Sequence, residues 1–474
     1  MEDSAQHTDS FKLLRLNMQR LPPASVSWPT LSNSRSRAQK VEFDIVLSLS
    51  DDYGSSFTTF EAHQVKLTLV DSTTCQPLFP RLKLYDARPL PDAISNDNDS
   101  NGQHVVVTLT GAQGPYYNVK LRLQSNDNSS TPPTQFKLMA CVTSRDTQTD
   151  VNPFSVESRS VLRLLDKSDR DVFQDWDDRQ YVVLDVVSGS IQIKHVKGLS
   201  EPTTSSNKLQ TASRWLHLVD LPPLIDDDIL IDRSEKRQRR RIQVVERLGL
   251  NNSTGQRLWD CAIVTSAWLS LETCQLQTAS RHSVIEHTEQ VDNEKPPRKR
   301  MKTSTQTCLL ELGAGCGLVS MVAAARFALQ SDQYDSNKPV RIVASDVQDT
   351  VETTLKETLE SNGFCHNLIE QQVVEWDCMS QATRQRVRHQ DDCDEREQNL
   401  CIIATDVLYN TDSHSILLNT ILFLLKPNES MFISYKRRTE GDSNFFNRAQ
   451  IEGCMKVENI WTWGEVSIWK LQKS

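Results

Sequence analysis

Two kinds of hydrophobic pattern divide the chain near residue 242. Between residues 39 and 166, apolar side chains recur at every second position, as at Phe43, Ile45 and Leu47, and turn-rich stretches such as "SNDNDSNG" separate the runs. Alternation of this kind places the apolar side chains on one face of a β-strand. Several short strands at such spacing predict an antiparallel sandwich or barrel.

The segments around this β-rich region are more polar. Residues 1–38 are rich in Ser, Pro and Arg, which predicts a disordered arm. Residues 180–196 hold two apolar runs around a short turn, which predicts a hairpin. Residues 200–241 join the acidic "IDDDILID" to the basic "EKRQRRR" and are interpreted as a charged linker. Because residues 39–199 show no catalytic constellation, they are interpreted as an all-β, sandwich-like accessory domain.

From residue 242 onward, strand-like and helix-like runs alternate. The strand "IQVVERL" is followed by the helix "RLWDCAIVTSAWLSL", and a polar insertion, residues 275–305, precedes the strand "TCLLEL". Strands that alternate with helices predict a mostly parallel, doubly wound α/β sheet. The last two runs, "KVENIWTW" and "EVSIWKL", have no helix between them and predict an antiparallel hairpin at one edge. The insertion is interpreted as disordered.

A glycine turn follows the strand "TCLLEL". In "LLELGAGCGL", Gly313, Gly315 and Gly317 stand at alternate positions and Glu311 interrupts the apolar run. Ligands of such sheets bind at the carboxyl ends of the strands, and glycine lets the backbone approach a ligand closely at positive φ. An acid at the end of the next strand can hold ribose hydroxyls, and Asp346 takes that place.

The spacing of the glycines and the nearby acid restrict the class of ligand that the turn can bind. GxGxG differs from the GxGxxG fingerprint that receives a pyrophosphate. A carboxylate such as Glu311 attracts a cationic or amine-bearing ligand and repels phosphate. S-adenosylmethionine carries a sulfonium, an α-amine and a ribose, and no phosphate, so it is the predicted cofactor. Capping of nearby amides is the alternative role of Glu311.

The region also resembles a known family. The stretches "RLWDCAIVTSAWL", "LLELGAGCGLVSMVAA", "ATDVLYN" and "ISYKRRTEGDSNFF" resemble the seven-β-strand methyltransferases, and within them the protein-lysine methyltransferases of methyltransferase family 16. "DVLY" matches the Asp/Glu-x-x-Tyr signature of that group. The resemblance covers about residues 242–474 and implies a Rossmann-like sheet of seven strands. It also implies methyl transfer from S-adenosylmethionine to a lysine of a protein substrate.

Several cofactor contacts are implied by the resemblance. The glycine turn and Glu311 line the methionine end, and Asp346 binds the ribose. Trp376 and Asp377, at the end of the third strand, flank the adenine, and Trp259 reaches the cofactor from the first helix. Core packing is the other interpretation of both tryptophans. The implied cofactor residues are Trp259, Glu311, Gly313, Gly315, Asp346, Trp376 and Asp377.

Asp406 and Tyr409 are the implied catalytic residues and face the substrate. Methyl transfer needs a neutral amine aligned with the sulfonium, while a lysine has a reference pKa of about 10.4. Asp406 can orient first the ammonium and then the amine, and Tyr409 offers a π face and a hydroxyl. Capping of the next helix is the alternative role of Asp406, although Asp412 is better placed for it. Lys436, Arg437 and Arg438 contact an acidic substrate or form a solvated rim.

Two other functions stay open at this stage. The methyl acceptor can be a histidine, a small amine or RNA, or the fold can be a non-catalytic binding module. RNA enzymes often carry Asn/Asp-Pro-Pro-Tyr/Phe at the end of the fourth strand, whereas "DVLY" lacks those prolines. A titration with S-adenosylmethionine distinguishes an enzyme from a binding module that no longer binds the cofactor.

Composition excludes some classes of protein. A net charge of -9 argues against generalised nucleic-acid binding. No signal peptide is evident, and the longest apolar stretch is broken by Glu311 and Arg326, which argues against a membrane span. Eleven cysteines without a CxxC pair favour a reducing compartment. No metal site is predicted, and a monomer is expected.

Two basic clusters, residues 236–241 and 298–302, stand in polar segments. They are interpreted as nuclear import signals, nucleic-acid contacts or parts of a plain linker. The expected location is therefore the nucleus, the cytoplasm or both.

Overall fold

The computed structural model describes most of the predicted elements. The described residues are 12–29, 40–52, 63–72, 77–79, 81–87, 103–109, 114–125, 133–143, 181–196, 203–205, 211–218, 240–247, 254–270, 306–328, 340–363, 368–388, 398–439 and 441–474. The chain divides into two compact units. The first is Met1–His217 with Arg241–Arg257, and the second is Leu218–Arg240 with Leu258–Ser474.

The described residues of the first unit form strands in two sheets. The strands are β1 (Lys12–Arg20), β2 (Ser25–Pro29), β3 (Lys40–Ser50), β4 (His63–Asp71), β5 (Leu82–Asp86), β6 (His104–Leu109), β7 (Tyr117–Ser125), β8 (Gln135–Thr143), β9 (Tyr181–Leu184), β10 (Val186–Ser188), β11 (Ile191–Val196), β12 (Thr203–Thr204), β13 (Thr211–Leu218) and β14 (Arg240–Arg247). One sheet has the order β5-β7-β3-β1-β9. The other has the order β12-β2-β11-β8-β10-β13-β14, with β4 paired to β8 and to β6.

The alternating pattern of this unit reflects burial. In β3, Phe43, Ile45 and Leu47 are buried, while the residues between Phe43 and Leu47 are more exposed. One apolar cluster contains residues from both sheets, such as Ile45 from the first and Phe136 from the second. Apolar burial of this kind stabilises the strands far more than their intrinsic propensity does.

The predicted disordered arm, residues 1–38, contains β1 and β2, so the prediction is wrong for those two segments. β1 lies between β3 and β9 in its sheet, and β2 pairs with β11. The side chains of Leu14, Leu16 and Val26 are fully buried. Burial of these few apolar side chains orders segments whose overall composition is polar, which explains the error.

The segments before residue 242 also differ from the predictions. Residues 180–196 do not form a hairpin, because β9 and β10 belong to different sheets and β11 pairs with β8 and β2. The predicted linker, residues 200–241, contains β12 and β13. The strand "IQVVERL" is β14, and it lies beside β13 in the first unit. Glu246 of β14 forms a buried ion pair with Arg214 of β13 at 2.7 Å, a contact that links the two strands.

The described residues of the second unit form one sheet of seven strands. They are β15 (Gln306–Leu312), β16 (Arg341–Asp346), β17 (Glu370–Val373), β18 (Gln398–Thr405), β19 (Ser430–Lys436), β20 (Met455–Trp463) and β21 (Val466–Lys473). Their order is β17-β16-β15-β18-β19-β21-β20. The first five are parallel to one another, β21 pairs antiparallel with β19, and β20 pairs antiparallel with β21. The predicted parallel sheet with a terminal antiparallel hairpin is confirmed.

Helices connect the strands of this sheet. The helices are α1 (Asp260–Ser270), α2 (Leu318–Ala323), α3 (Gln348–Thr350), α4 (Lys356–Ser361), α5 (Gln381–Arg388), α6 (His414–Leu424) and α7 (Asn444–Ile451). A π-helical turn, Ala324–Ala328, follows α2, and another, Val351–Leu355, joins α3 to α4. The main apolar cluster contains Leu310 of β15, Ile402 of β18 and Leu417 of α6. The parallel order brings the carboxyl ends of the five parallel strands to one edge of the sheet.

One prediction in this unit needs correction. The third strand, β17, ends at Val373, so Trp376 and Asp377 lie in a short 3-10 turn beyond it. Helix α5 follows this turn, and its Val387 is fully buried against the sheet. The polar insertion, residues 275–305, lies outside the described residues. So do the two basic clusters, apart from the first two residues of β14.

The described helices include none with the length and apolar character required to cross a membrane.

Candidate active site

The glycine turn joins β15 to α2. Gly313, Gly315 and Gly317 have φ angles of 69°, 54° and 78°, in the left-handed region that glycine adopts without strain. The turn is also tightly packed: a Cβ atom on Gly313 would lie 3.0 Å from Cγ1 of Val407, and one on Gly317 would lie 2.5 Å from Leu355 Cδ1. The turn therefore needs glycine for its backbone conformation and for its close contacts.

Asp346 connects the end of β16 to this turn. Its Oδ2 accepts a hydrogen bond from the amide of Gly315 at 2.8 Å, and its Oδ1 accepts one from the amide of Val347 at 2.8 Å. Burial raises the pKa of Asp346. A carboxylate offers about four acceptor positions, so two bonds leave capacity for hydroxyl donors of a ligand. The predicted ribose-binding acid thus lies beside the predicted cofactor turn.

Glu311 lies beneath the turn and is almost fully buried. Its Oε2 accepts hydrogen bonds from the amide of Ser320, at 2.9 Å, and from the hydroxyl of the same residue. Its Oε1 has no hydrogen-bond partner among the described residues. Burial raises the pKa of Glu311 to about 8, although the bonds from Ser320 act in the opposite direction. Oε2 of Glu311 therefore caps the amide of Ser320, as the alternative interpretation expected, and Oε1 can still accept a hydrogen bond from a ligand.

The ends of β16 and β17 carry exposed apolar side chains. Val347 follows Asp346 and is 47% exposed, and Val373, which pairs with Asp346 in the sheet, is 39% exposed. Trp376 lies near the turn, with its Cζ2 atom 3.9 Å from the position of a Cβ on Gly313. Sequence reasoning missed Val347, although an apolar residue directly after the acid was the available signal. Asp377 is exposed.

Asp406 follows β18 and is buried. Its φ of 58° is unusual for a residue other than glycine, and its amide donates to the carbonyl of Ser434 at 2.8 Å. Both carboxylate oxygens of Asp406 accept from the guanidinium of Arg438, one from each terminal nitrogen. Strained backbone at a buried carboxylate often marks a functional site. Tyr409 is 52% exposed, three residues further on.

Arg438 also contacts Trp259, whose ring centroid lies 5.7 Å from the guanidinium carbon. Trp259 immediately precedes α1, so this contact joins the start of α1 to the loop after β19. The sequence interpretation of a solvated basic rim is wrong for Lys436, which is buried and pairs with Asp260 at 3.4 Å. The pairing of Arg438 with Asp406 was missed, because nothing in the local pattern indicates it.

The structure therefore brings most of the predicted residues to one edge of the sheet. A Cβ atom on Gly313 would lie 3.0 Å from Val407, which follows Asp406, and 3.9 Å from Trp376. This edge presents carboxylates, an aromatic ring and backbone amides, which can bind a cation and hydroxyl groups. In the described part of the chain, no group of three or more His, Cys, Asp or Glu side chains could hold a metal ion.

Comparisons with known proteins give a family match over part of the chain. Residues 236–452 match a family model described as lysine methyltransferase. A UPF0665 family protein from Schizosaccharomyces pombe is 23% identical over 233 residues, which are 47% of this chain and 54% of that protein. The chain thus spans about half the length of the curated relative that it matches.

Solved structures are similar to part of the chain. An O-methyltransferase family protein from Burkholderia thailandensis is 10% identical and covers 45% of this chain and 59% of its own, with a TM-score of 0.26. An O-methyltransferase family 2 protein from Planctomyces limnophilus, in complex with apigenin, is 13% identical. That match covers 38% of this chain and 54% of the other, with a TM-score of 0.25.

Proposed function

We propose that the second unit is an S-adenosylmethionine-dependent methyltransferase that modifies a lysine side chain of another protein. The match of residues 236–452 to a lysine methyltransferase model supports this proposal. The observation that carries it is the hydrogen bond between the amide of Gly315 and the carboxylate of Asp346. This bond joins the glycine turn after β15 to the acid after β16, at the carboxyl edge where such sheets bind ligands.

The described residues fit S-adenosylmethionine. Asp346 has acceptor capacity for the two ribose hydroxyls, and the exposed Val347 beside it offers an apolar surface for the adenine. Oε1 of Glu311 can accept from the α-amine, and the left-handed glycine turn allows close approach of the backbone to the methionine end. Bound there, the cofactor would supply the methyl group of its sulfonium, and transfer of that methyl group leaves a neutral thioether.

The remaining residues act on the acceptor. Asp406 orients the lysine ammonium and then the amine after it has lost its proton to solvent. Tyr409, exposed at the same edge, forms one wall of the lysine channel. The protein's main task is to align a neutral amine and to exclude water, since the methyl donor is already activated.

Within the family, the chain resembles methyltransferase-like protein 22. The acidic and then basic segment before residue 242 and the final "IWKL" strand support this subgroup. The β-rich first unit lies outside the resemblance. Its proposed role is to recruit the protein substrate.

Two measurements on the full-length chain test the proposed function. Calorimetric titration with S-adenosylmethionine should show binding that Asp346→Ala weakens strongly. Labelled methyl transfer into a matched cell lysate, followed by mass spectrometry of the labelled bands, should locate the methyl group on lysine. Failure of the chain to bind the cofactor would overturn the proposal. Binding of the cofactor without methyl transfer would favour a non-catalytic binding module. Label on histidine or RNA would identify that group, and not lysine, as the methyl acceptor.

A further inference from the structure

A cation already lies against the carboxylate proposed to receive the substrate. The guanidinium of Arg438 donates to both oxygens of Asp406 and lies over the ring of Trp259 at 5.7 Å. A carboxylate on one side and an aromatic face on the other are the groups that bind ammonium ions in proteins. The side chains of Arg438 and Asp406 are 13% and 5% exposed, so this cation is largely withdrawn from water.

The loop that carries Arg438 is itself fixed. The buried carboxylate of Asp442 accepts from the amides of Arg438, at 2.8 Å, and of Thr439, at 3.0 Å, and from the hydroxyl of Thr439. Gly441 lies near Thr411, at the turn before α6, where a Cβ would be 3.1 Å from the Thr411 methyl. These bonds restrain the backbone around Arg438, whereas its long side chain can rotate away from Asp406.

We infer that the Arg438 guanidinium occupies the subsite that the substrate ammonium enters, so that substrate binding displaces Arg438 from Asp406. The inference rests on the proposed function, because Asp406 is taken as the acceptor-binding carboxylate. Arg438 already donates to both oxygens of Asp406, and although lone pairs remain, a second cation at the same carboxylate would meet like-charge repulsion from the first. The two cations therefore compete for Asp406.

This arrangement selects the class of substrate. A small alkylamine has one charge and a short chain, and it gains too little contact to displace a bidentate arginine. A lysine on a protein gains further contacts outside the subsite, and these can offset the loss of the Arg438–Asp406 pair. Arg438 is therefore a specificity-determining residue that excludes small amines and admits protein-borne lysine.

Binding of n-butylammonium, a mimic of the lysine side chain, tests the inference without any methyl transfer. The full-length chain, saturated with S-adenosylhomocysteine, is titrated with n-butylammonium and followed by saturation-transfer NMR. Arg438→Gln should bind this probe about 10- to 100-fold more tightly than the wild type, because no charge-assisted bonds then need to be broken. Arg437→Gln is the matched control, since it removes the same charge at an exposed neighbouring position. It should bind the probe like the wild type.

A second variant keeps the test decisive if Arg438→Gln fails to fold. Arg438→Lys retains the charge but loses the bidentate fork, so it should hold Asp406 less firmly and show a smaller gain in probe affinity. Equal or weaker binding of n-butylammonium in the folded variants than in the wild type would overturn the inference. A titration of the same proteins with S-adenosylmethionine, in the absence of S-adenosylhomocysteine, separates the two proposals. If the wild type does not bind S-adenosylmethionine, the proposed methyltransferase function is wrong. The n-butylammonium result reports on the subsite at Asp406 alone.

Discussion

The buried Glu311 makes the stability of the second unit depend on pH. Its pKa is raised from 4.5 to about 8, chiefly because burial disfavours the charged form. A folded-state pKa above the unfolded value means that the folded chain binds the proton more tightly. The stabilisation is therefore complete below about pH 4.5 and is lost as pH rises through about 8. Replacement of this residue by a neutral amide, Glu311→Gln, should remove that dependence.

The size of the effect follows from the two pKa values. Each unit of difference corresponds to about 1.4 kcal/mol, and the Glu311 carboxyl is still mostly protonated at about pH 6 and half ionised at about pH 8. Between those conditions the wild type should lose roughly 2 kcal/mol of folding free energy from this group. The Gln variant should not lose that increment, because its side chain does not titrate and can still accept from Ser320.

Native-state hydrogen exchange of the β15 amides is the appropriate assay, since it reports the opening of this sheet in the full-length chain. Opening free energies are compared from about pH 6 to about pH 8, after correction for the intrinsic pH dependence of exchange. Glu360→Gln, the same change at an exposed position of α4, should retain the wild-type slope. If the opening free energies of the wild type and of Glu311→Gln change equally with pH over this range, the effect assigned to burial of Glu311 is wrong.

Three further outcomes are expected. Gly313→Arg should abolish S-adenosylmethionine binding in calorimetry while the circular dichroism stays native, and Gly114→Arg, at a left-handed glycine with open space around it, should bind normally. Asp406→Ala should lower kcat/KM by about 30- to 1000-fold, or roughly 2–4 kcal/mol, with little change in cofactor Kd; a wild-type rate would remove Asp406 from the reaction. Glu429→Gln should destabilise the chain by about 3–5 kcal/mol in urea denaturation, because Arg388, paired with Glu429 at 3.0 Å, would be left as a buried charge; a loss below about 1 kcal/mol would contradict that account.

The sequence by itself determined the elements whose signals are local. Alternation of apolar residues predicted β3, and the run "TCLLEL" followed by glycines predicted β15, the turn and α2. Asp346 was identified for the same reason, because the end of one strand and the start of the next helix lie within a few residues. Strand–helix alternation then restricts the topology, since parallel strands need crossover connections of one hand. These features depend on neighbouring residues, so a single chain reveals them.

Only the tertiary structure decided which distant residues meet. Arg438 and Asp406 are separated by 32 positions, and Arg214 and Glu246 by the same interval, yet the members of each pair are in contact and largely shielded from water. The order in β1 and β2 also comes from partners far along the chain, which bury side chains of a segment with polar composition. Glu311 shows the reason most clearly: its carboxyl is ordinary in the sequence, and its pKa is raised only because folding removes the water around it. Burial and long-range pairing are properties of packed chains, and local pattern does not encode them.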